Sequence, residues 1–467
     1  MRDEHSAAAD ATRAIEDLLR WAARTSRDGY DALPSRIVEK AAAIISDDVA
    51  SMIAAGAEDE VKAIRAAAAA RAPRGGSTVV GAPGLKVSPE WAAAANVIAG
   101  NWLELDGGYR LATCHGSLYT LPSALAELEA SGGTMGDVIV ALVVSYEVVT
   151  RVARAYRPPL PLAAHPHATL SPLGAAAAIA AARRLDETDF AATVLAGATL
   201  SLNGPFSHAK QGATVRNAWA GAGARLGFFA ADMVAAGLSS SGTAVHDVFA
   251  TSYGYPEDVA ALTDGLGERF AVEDGYHKLY ACCQYLHSSV EAAHHLAAVA
   301  LTSSDPSDID EILVETHPLA AALDTIAPSS LLAGKFSLPH AVAAVLVEGS
   351  TAPETFSGAR LHDPRIAELR EKVRIRVWDP VPAPPEDRPA KVTVTLRDGS
   401  VHEQTVLSAI GGPDRPLSPA DLITKIQTIT GSEYPRFAPE ARGFITGPAT
   451  VQDAPVSEFL SKLTSRG

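Results

Sequence analysis

The sequence predicts a mainly α protein: a large helical domain, discontinuous along the chain, with a smaller α+β domain inserted into it. Three observations carry this. The first half is Ala-rich and patterned as helix after helix; alanine has the highest helix propensity and a side chain small enough for close helix packing. After about residue 265 the pattern changes to short β-branched runs with helices between them. Beyond residue 408 helical patterning returns. The predicted divisions are 1–265 and 409–467 for the two parts of the helical domain, and 266–408 for the α+β domain.

In chain order, helices are predicted over 8–24, 34–54, 59–72, 88–99, 122–130, 135–155, 173–184, 189–200 and 217–236. Ser88-Pro89-Glu90 places Ser at an N-cap and Pro at the first helical position, and Ser171-Pro172 repeats this ahead of Leu173. Thr134-Met135-Gly136-Asp137 has capping-box spacing, with Asp in place of the usual Glu. Two loops interrupt the array. Residues 74–86 are rich in Gly, Pro and Ser and read as a flexible connection. Residues 100–115 are polar and hold Glu104, Asp106, Tyr109, Arg110 and His115 in one stretch. Gly221, Gly223 and Gly227 fall inside a helical pattern with no strand before them. They support tight helix–helix packing rather than a dinucleotide-binding turn.

In the α+β part, strands are predicted over 309–316, 373–378, 392–396 and 401–407. Arg397-Asp398-Gly399-Ser400 is a hairpin signal between the last two. Helices are predicted over 288–300 and 335–348. Residues 380–389 read as a Pro-rich spacer. The run Gly411-Gly412-Pro413-Asp414-Arg415-Pro416 marks a boundary, and helices follow over 418–430 and 456–463.

A chain of 467 residues can bury a large core without disulfides or metals. Its formal net charge of -15 and lack of a basic run argue against a nucleic-acid partner. The acidity reads as a solubility feature and leaves room for a basic pocket inside an acidic shell. Cys114, Cys282 and Cys283 are odd in number, with two adjacent, so a reducing cytoplasm fits better than a disulfide framework. The first five residues carry no signal-peptide core, and apolar runs such as 138–144 and 175–182 fall far short of the ~20 residues of a membrane span.

Four stretches can carry chemistry. In the first, Leu103 to Ser117, glycines let backbone approach a ligand and His115 closes the loop. A histidine there titrates in the range that a general acid or base needs. Asp106 can orient it, and Tyr109 and Arg110 are candidates for substrate contacts. The same composition also fits an ordinary surface loop. In the second, His165-Pro166-His167 precedes the helix around Gly174 and places two potential donors at a positive helix end; on these residues alone a plain helix-entry turn with incidental histidines is the better fit. In the third, Lys278 lies near the predicted domain boundary, where clefts form and a lysine can partner a carboxylate. A solvated surface lysine is the ordinary alternative. In the fourth, His287, Glu291, His294 and His295 share one side of a helix, but the spacing is no known zinc motif. No metal is assigned. A Cys114–His115 nucleophile is weaker still, because adjacent residues aim poorly at each other.

These motifs, taken in order, resemble the MmgE/PrpD family, whose members include 2-methylcitrate dehydratases, cis-aconitate decarboxylases and iminodisuccinate epimerases. The resemblance runs through Glu104-Leu105-Asp106 to His115, Leu121-Pro122-Ser123-Ala124, and the His165 turn before Leu173-Gly174. It continues through Arg216-Asn217-Ala218-Trp219-Ala220-Gly221, Lys278 to His287, Lys335 to Ala341, and Gly412-Pro413 with Pro416-Leu417-Ser418. It implies a helical domain with an inserted α+β lid, a homodimer, and an active site between the domains with no metal or organic cofactor. The family's site positions fall on Asp106, His115, His165, Arg216, Lys278 and His340.

The chain also departs from the family pattern. Gly116-Ser117 follows His115 where His-Pro is common. Arg216 and His340 stand where Lys and Tyr are frequent, and Gly107-Gly108 replaces further Asp. These features resemble the divergent branch that holds epimerases.

The expected function is a cofactor-independent lyase of dehydratase or decarboxylase type. Its substrate is a small di- or tricarboxylate, and a proton moves at the carbon next to a carboxylate. His115 exchanges the proton and Asp106 orients it. Arg216 and Lys278 hold carboxylates, and His165 or His340 serves as a second acid, base or anion contact. An epimerase or isomerase using the same proton abstraction is the first alternative. A non-catalytic carboxylate-binding homodimer is the second.

Overall fold

A computed structural model describes residues 2–72, 75–301 and 305–465. Helices dominate it, so the mainly α class holds. The chain divides into two compact units. The first comprises Met1–Pro205, Val215–His277 and Ser418–Gly467, and the second Phe206–Thr214 and Lys278–Leu417. Among the described residues, no helix is long and apolar enough to cross a membrane.

The first unit is built around the helix Ser171–Ala182, buried along almost its whole length. It packs against Gly116–Ser131, Met135–Ala155, Glu187–Thr199 and Val215–Ala235. A helix can be surrounded this closely only if its own side chains are small, and here they are mostly alanine. The glycines of Val215–Ala235 answer the same demand. A methyl at Gly227 would lie 2.5 Å from Cβ of Ala175, and one at Gly221 would lie 2.8 Å from the Ile98 side chain. The predicted capping box at Thr134 is present, with the Asp137 N–H donating to Thr134 Oγ1 at 3.3 Å and Asp137 accepting from the Thr134 N–H at 2.9 Å. Near the C-terminus, the helix Pro419–Thr430 packs against Ser35–Ala54.

Three local expectations are corrected. The helix predicted over 122–130 begins at Gly116 and carries Pro122 inside it. Proline punctuates a sequence strongly, but here it costs only the bond to the Leu118 carbonyl while the packed helix continues through it. Ser171 is not an N-cap: it lies within its helix, after the short helix Pro166–Thr169, and its hydroxyl donates to the His167 carbonyl at 2.6 Å. The segment predicted as a flexible loop over 74–86 contains the strand Ser77–Thr78, paired antiparallel with Lys86–Val87. Side chains fasten it: Glu129 accepts from the Thr78 N–H at 2.6 Å, and Asn96 accepts from the Val80 N–H at 2.8 Å.

The second unit holds a four-stranded sheet in the order Val373–Val377, Ile309–Thr316, Ala390–Leu396, Val401–Val406. The first pair is parallel and the others antiparallel. Buried and part-buried residues alternate along Ala390–Leu396 as the β pattern requires. The Asp398-Gly399 hairpin forms as predicted, with Gly399 at φ 87° and Asp398 accepting from the Ser400 N–H at 2.9 Å. Helices His287–His295 and Leu338–Glu348 pack on each other, the former against the last two strands.

Candidate active site

The helix Pro89–Trp102 delivers the chain to a loop that ends at His115, the N-cap residue of Gly116–Ser131. Glu104 adopts a left-handed backbone at φ 57°, which a residue with a side chain holds only when its surroundings enforce it. The short strand Gly108–Tyr109 pairs antiparallel with Gly275–Tyr276. The glycines here are packing requirements. A methyl at Gly107 would lie 3.0 Å from the Tyr276 carbonyl, one at Gly108 would overlap the Tyr276 phenol, and one at Gly116 would lie 2.7 Å from the Tyr146 ring.

This loop brings His115 back onto Asp106. Nδ1 of His115 lies 2.6 Å from Oδ2 of Asp106 and 3.2 Å from the Gly107 carbonyl. Both neighbours accept, so Nδ1 carries the proton and donates, and Nε2 is the basic nitrogen. Asp106 is buried, while the His115 side chain keeps 13% of its surface. Behind them Asp48 accepts the Gly107 N–H at 3.1 Å. Burial first, then the nearby charges of Asp47 and Asp106, push the Asp48 carboxyl up to about 7, although Ser117 and Gly107 hydrogen bonds oppose the rise.

A second row of side chains continues from His115. Its ring stands edge-on to His167, with centroids 4.8 Å apart, and His167 stands 4.5 Å from His165. The Tyr119 hydroxyl and His167 Nδ1 share a hydrogen bond of 2.8 Å. His165 Nε2 accepts from Arg216 Nε at 3.1 Å, and Arg216 also donates to Asn217 Oδ1 at 3.0 Å and pairs with Glu104. The Arg216 and Glu104 side chains are almost completely buried. A guanidinium enclosed in this way is a fixed charge with a defined direction.

Of the residues singled out from the sequence, Asp106, His115, His165 and Arg216 thus form one contiguous cluster. Tyr109 and Arg110 are buried beside it. The Tyr109 ring meets Tyr146 edge-on at 6.1 Å, and burial raises its phenol. The Arg110 N–H donates to the Asp274 carbonyl at 2.9 Å. Lys278 and His340 belong to the second unit, and both are buried there. His340 sits in the first turn of Leu338–Glu348, its N–H donating to Ser337 Oγ at 3.0 Å. Burial, then the charges of Arg370 and Lys335, hold its imidazole down to about 4, so the ring is neutral at pH 7. Glu291, weighed above as a metal ligand, pairs with Arg415 at 2.9 Å and accepts the Ile410 N–H at 2.9 Å. Among the described residues, no group of three or more His, Cys, Asp or Glu is placed to hold a metal ion.

Sequence reasoning assigned no role to Glu104, Tyr119, Asp48 or Lys425. For the last two a signal was present. Asp47 and Asp48 fall three and four positions after Ile44, within the apolar stripe of Ser35–Ala54. Lys425 falls three after Leu422 on the apolar stripe of Pro419–Thr430. A charge on the buried face of an amphipathic helix must find a partner inside.

Residues 16–260 match the MmgE/PrpD N-terminal domain, and residues 280–442 match the MmgE/PrpD C-terminal domain. A protein named cis-aconitate decarboxylase from Aspergillus terreus (strain NIH 2624 / FGSC A1156) is 25% identical over 454 residues, covering 89% of each chain. Proteins of the same name from Mus musculus and Homo sapiens are 25% identical over 380 residues and 26% over 372. Each of these alignments covers 75% of this chain and 74% of the relative.

Proposed function

Because the chain belongs to the MmgE/PrpD family of enzymes, we propose that it is a lyase acting on a small di- or tricarboxylate by proton transfer at a carbon next to a carboxylate. The observation that carries this reading is the 2.6 Å contact between His115 and Asp106, one imidazole away from the row that ends at Arg216. Cis-aconitate is the acid in the names of the three relatives, and it makes a tricarboxylate the first substrate class to test.

His115 Nε2 takes the proton from the activated carbon. Asp106 balances the imidazolium that forms and keeps the ring from rotating. Arg216, immobilised by Glu104, Asn217 and His165, directs its guanidinium at a substrate carboxylate. The Arg216–Glu104 pair is close to neutral, so a polycarboxylate needs a further cation. The family resemblance puts Lys278 and His340 among the site positions: Lys278 supplies that charge, and His340, neutral at pH 7, serves as a second base or a hydrogen-bond contact to the anion. Positioned acid–base catalysis is worth about 10²- to 10⁴-fold, and oriented charge supplies the rest. The chain's own residues carry every step, without a cofactor.

The row of three imidazoles also favours a second reading. An epimerase needs a base on one face of the carbon and an acid on the other, and His115 with His167 offers two groups. Proton NMR of candidate acids in D₂O separates the two. Elimination or decarboxylation supports the lyase, and deuterium uptake with inversion at the carbon supports the epimerase. If no polycarboxylate exchanges, eliminates or loses carbon dioxide, both fall and a carboxylate-binding protein is left. The family reading also makes the protein a homodimer, so sedimentation equilibrium should return twice the chain mass of 48.5 kDa.

A further inference from the structure

Leu105 lies between Glu104, which pairs with Arg216, and Asp106, which holds His115. Its carbonyl therefore sits at the pivot from which both carboxylates are aimed. That carbonyl accepts from Lys425 Nζ at 3.1 Å, across 320 positions of sequence. The hydroxyl of Ser51 also lies 3.1 Å away, but it divides its single proton with the Asp47 carbonyl at 3.1 Å. Lys425 is the donor committed to the loop.

Lys425 is itself fixed. Its Nζ lies 2.6 Å from Oδ1 of Asp47, and both side chains are buried. Oδ2 of Asp47 lies 2.8 Å from Nδ1 of His277, whose Nε2 lies 3.4 Å from Nζ of Lys40. Burial pushes the Asp47 carboxyl up, but Lys425 and His277 outweigh it and hold it below its ordinary range, so Asp47 is an anion. The neighbouring loop residue Glu104 has a left-handed backbone, a conformation that drifts unless tertiary contacts impose it.

Resting on the function proposed above, we infer that Lys425 is a positioning residue: braced by Asp47, it anchors the Leu105 carbonyl so that Glu104 faces Arg216 and Asp106 faces His115. It touches neither His115 nor Arg216 and acts through the loop alone. Misplacement of a reacting group by about 1 Å can cost on the order of 10²-fold in rate.

The test uses the full-length protein and two variants. Lys425→Met keeps the stem and removes the donor. Because it leaves Asp47 buried without its cation, the double variant Lys425→Met/Asp47→Leu is made beside it. Replacing both partners of a buried pair by apolar residues commonly preserves folding. Two quantities are read. One is kcat against KM for whichever polycarboxylate the wild type turns over. The other is the low-field Nδ1 proton of His115 in protein labelled with ¹⁵N-histidine, identified by its loss in His115→Ala. Anchoring predicts a fall in kcat of about 10- to 100-fold with little change in KM, and an upfield move of the His115 proton in both variants. A folded double variant with an unmoved proton and wild-type kcat overturns the anchoring role and leaves the reaction intact. A moved proton in a protein that turns over no polycarboxylate, wild type included, keeps the anchoring and overturns the reaction.

Discussion

Glu104 and His165 take hold of Arg216 from two separate parts of the chain, one from the loop before His115 and the other from the turn before Ser171–Ala182. The arginine is thus the point at which two segments distant in sequence agree on one geometry. With the Arg216 and Glu104 side chains both almost completely buried, the pair cannot be broken singly at low cost.

Arg216→Leu should therefore destabilise the first unit by about 3–5 kcal/mol, since it leaves a buried carboxylate without its cation. Urea denaturation followed by circular dichroism measures this. The double variant Arg216→Leu/Glu104→Leu should recover most of the loss yet remain inactive. Recovery of activity along with stability would show that the guanidinium has no part in turnover.

Asp106→Asn changes one atom of the dyad. The amide can turn an N–H toward Nδ1, which moves the imidazole proton to Nε2 and removes the basic nitrogen from the reacting side. The expected outcome is a loss of about 10²- to 10⁴-fold in kcat, with a thermal midpoint near that of the wild type. Steady-state assay with the substrate found by NMR decides it.

Asp48 predicts a pH dependence of stability. Its carboxyl is raised from 3.8 to about 7 in the folded protein, by burial first and by Asp47 and Asp106 next. Between pH 4 and 7 the folded state therefore holds a proton that the unfolded state has released. Stability from this group falls as pH rises through that window, and the cost is complete above pH 7. The full penalty is on the order of 4 kcal/mol. Asp48→Asn retains an acceptor for the Gly107 N–H and removes the titration. Its unfolding free energy, measured from pH 4 to 8, should lack this fall, and parallel curves for variant and wild type would contradict the assignment.

Gly227→Ala tests the packing of the first unit. The added methyl falls 2.5 Å from Cβ of Ala175 and 2.8 Å from backbone atoms of Ala175 and Ala176. A helix favours alanine over glycine, so on an exposed face the change would stabilise. Here overpacking should prevail, at a cost of about 1–3 kcal/mol, read from the denaturation midpoint.

The large features were legible in the sequence because each rests on local chemistry. The helical class followed from alanine and apolar periodicity, the strands from β-branched runs, and the hairpin from Asp398-Gly399. His115 and Asp106 were legible because they share one short loop. What remained hidden depends on distance. Nothing local says that Lys425 reaches Leu105, and Glu104 looks like an ordinary loop carboxylate until Arg216 arrives from another helix. Pro122 and Ser171 misled for the opposite reason. Each carries a strong local signal, and tertiary packing overrode both.

The bond between Lys425 and Leu105 also sets an order of assembly during synthesis. The loop that carries Asp106 leaves the ribosome 320 residues before its anchor does. At about 5–20 residues per second, that interval is roughly 15 to 60 seconds. Arg216 emerges partway through that time, and until its end the Leu105 carbonyl lacks its lysine donor. The last part of the chain is thus the one that completes the first unit, and a ribosome stalled before residue 425 would display a helical scaffold whose loop still lacks its anchor.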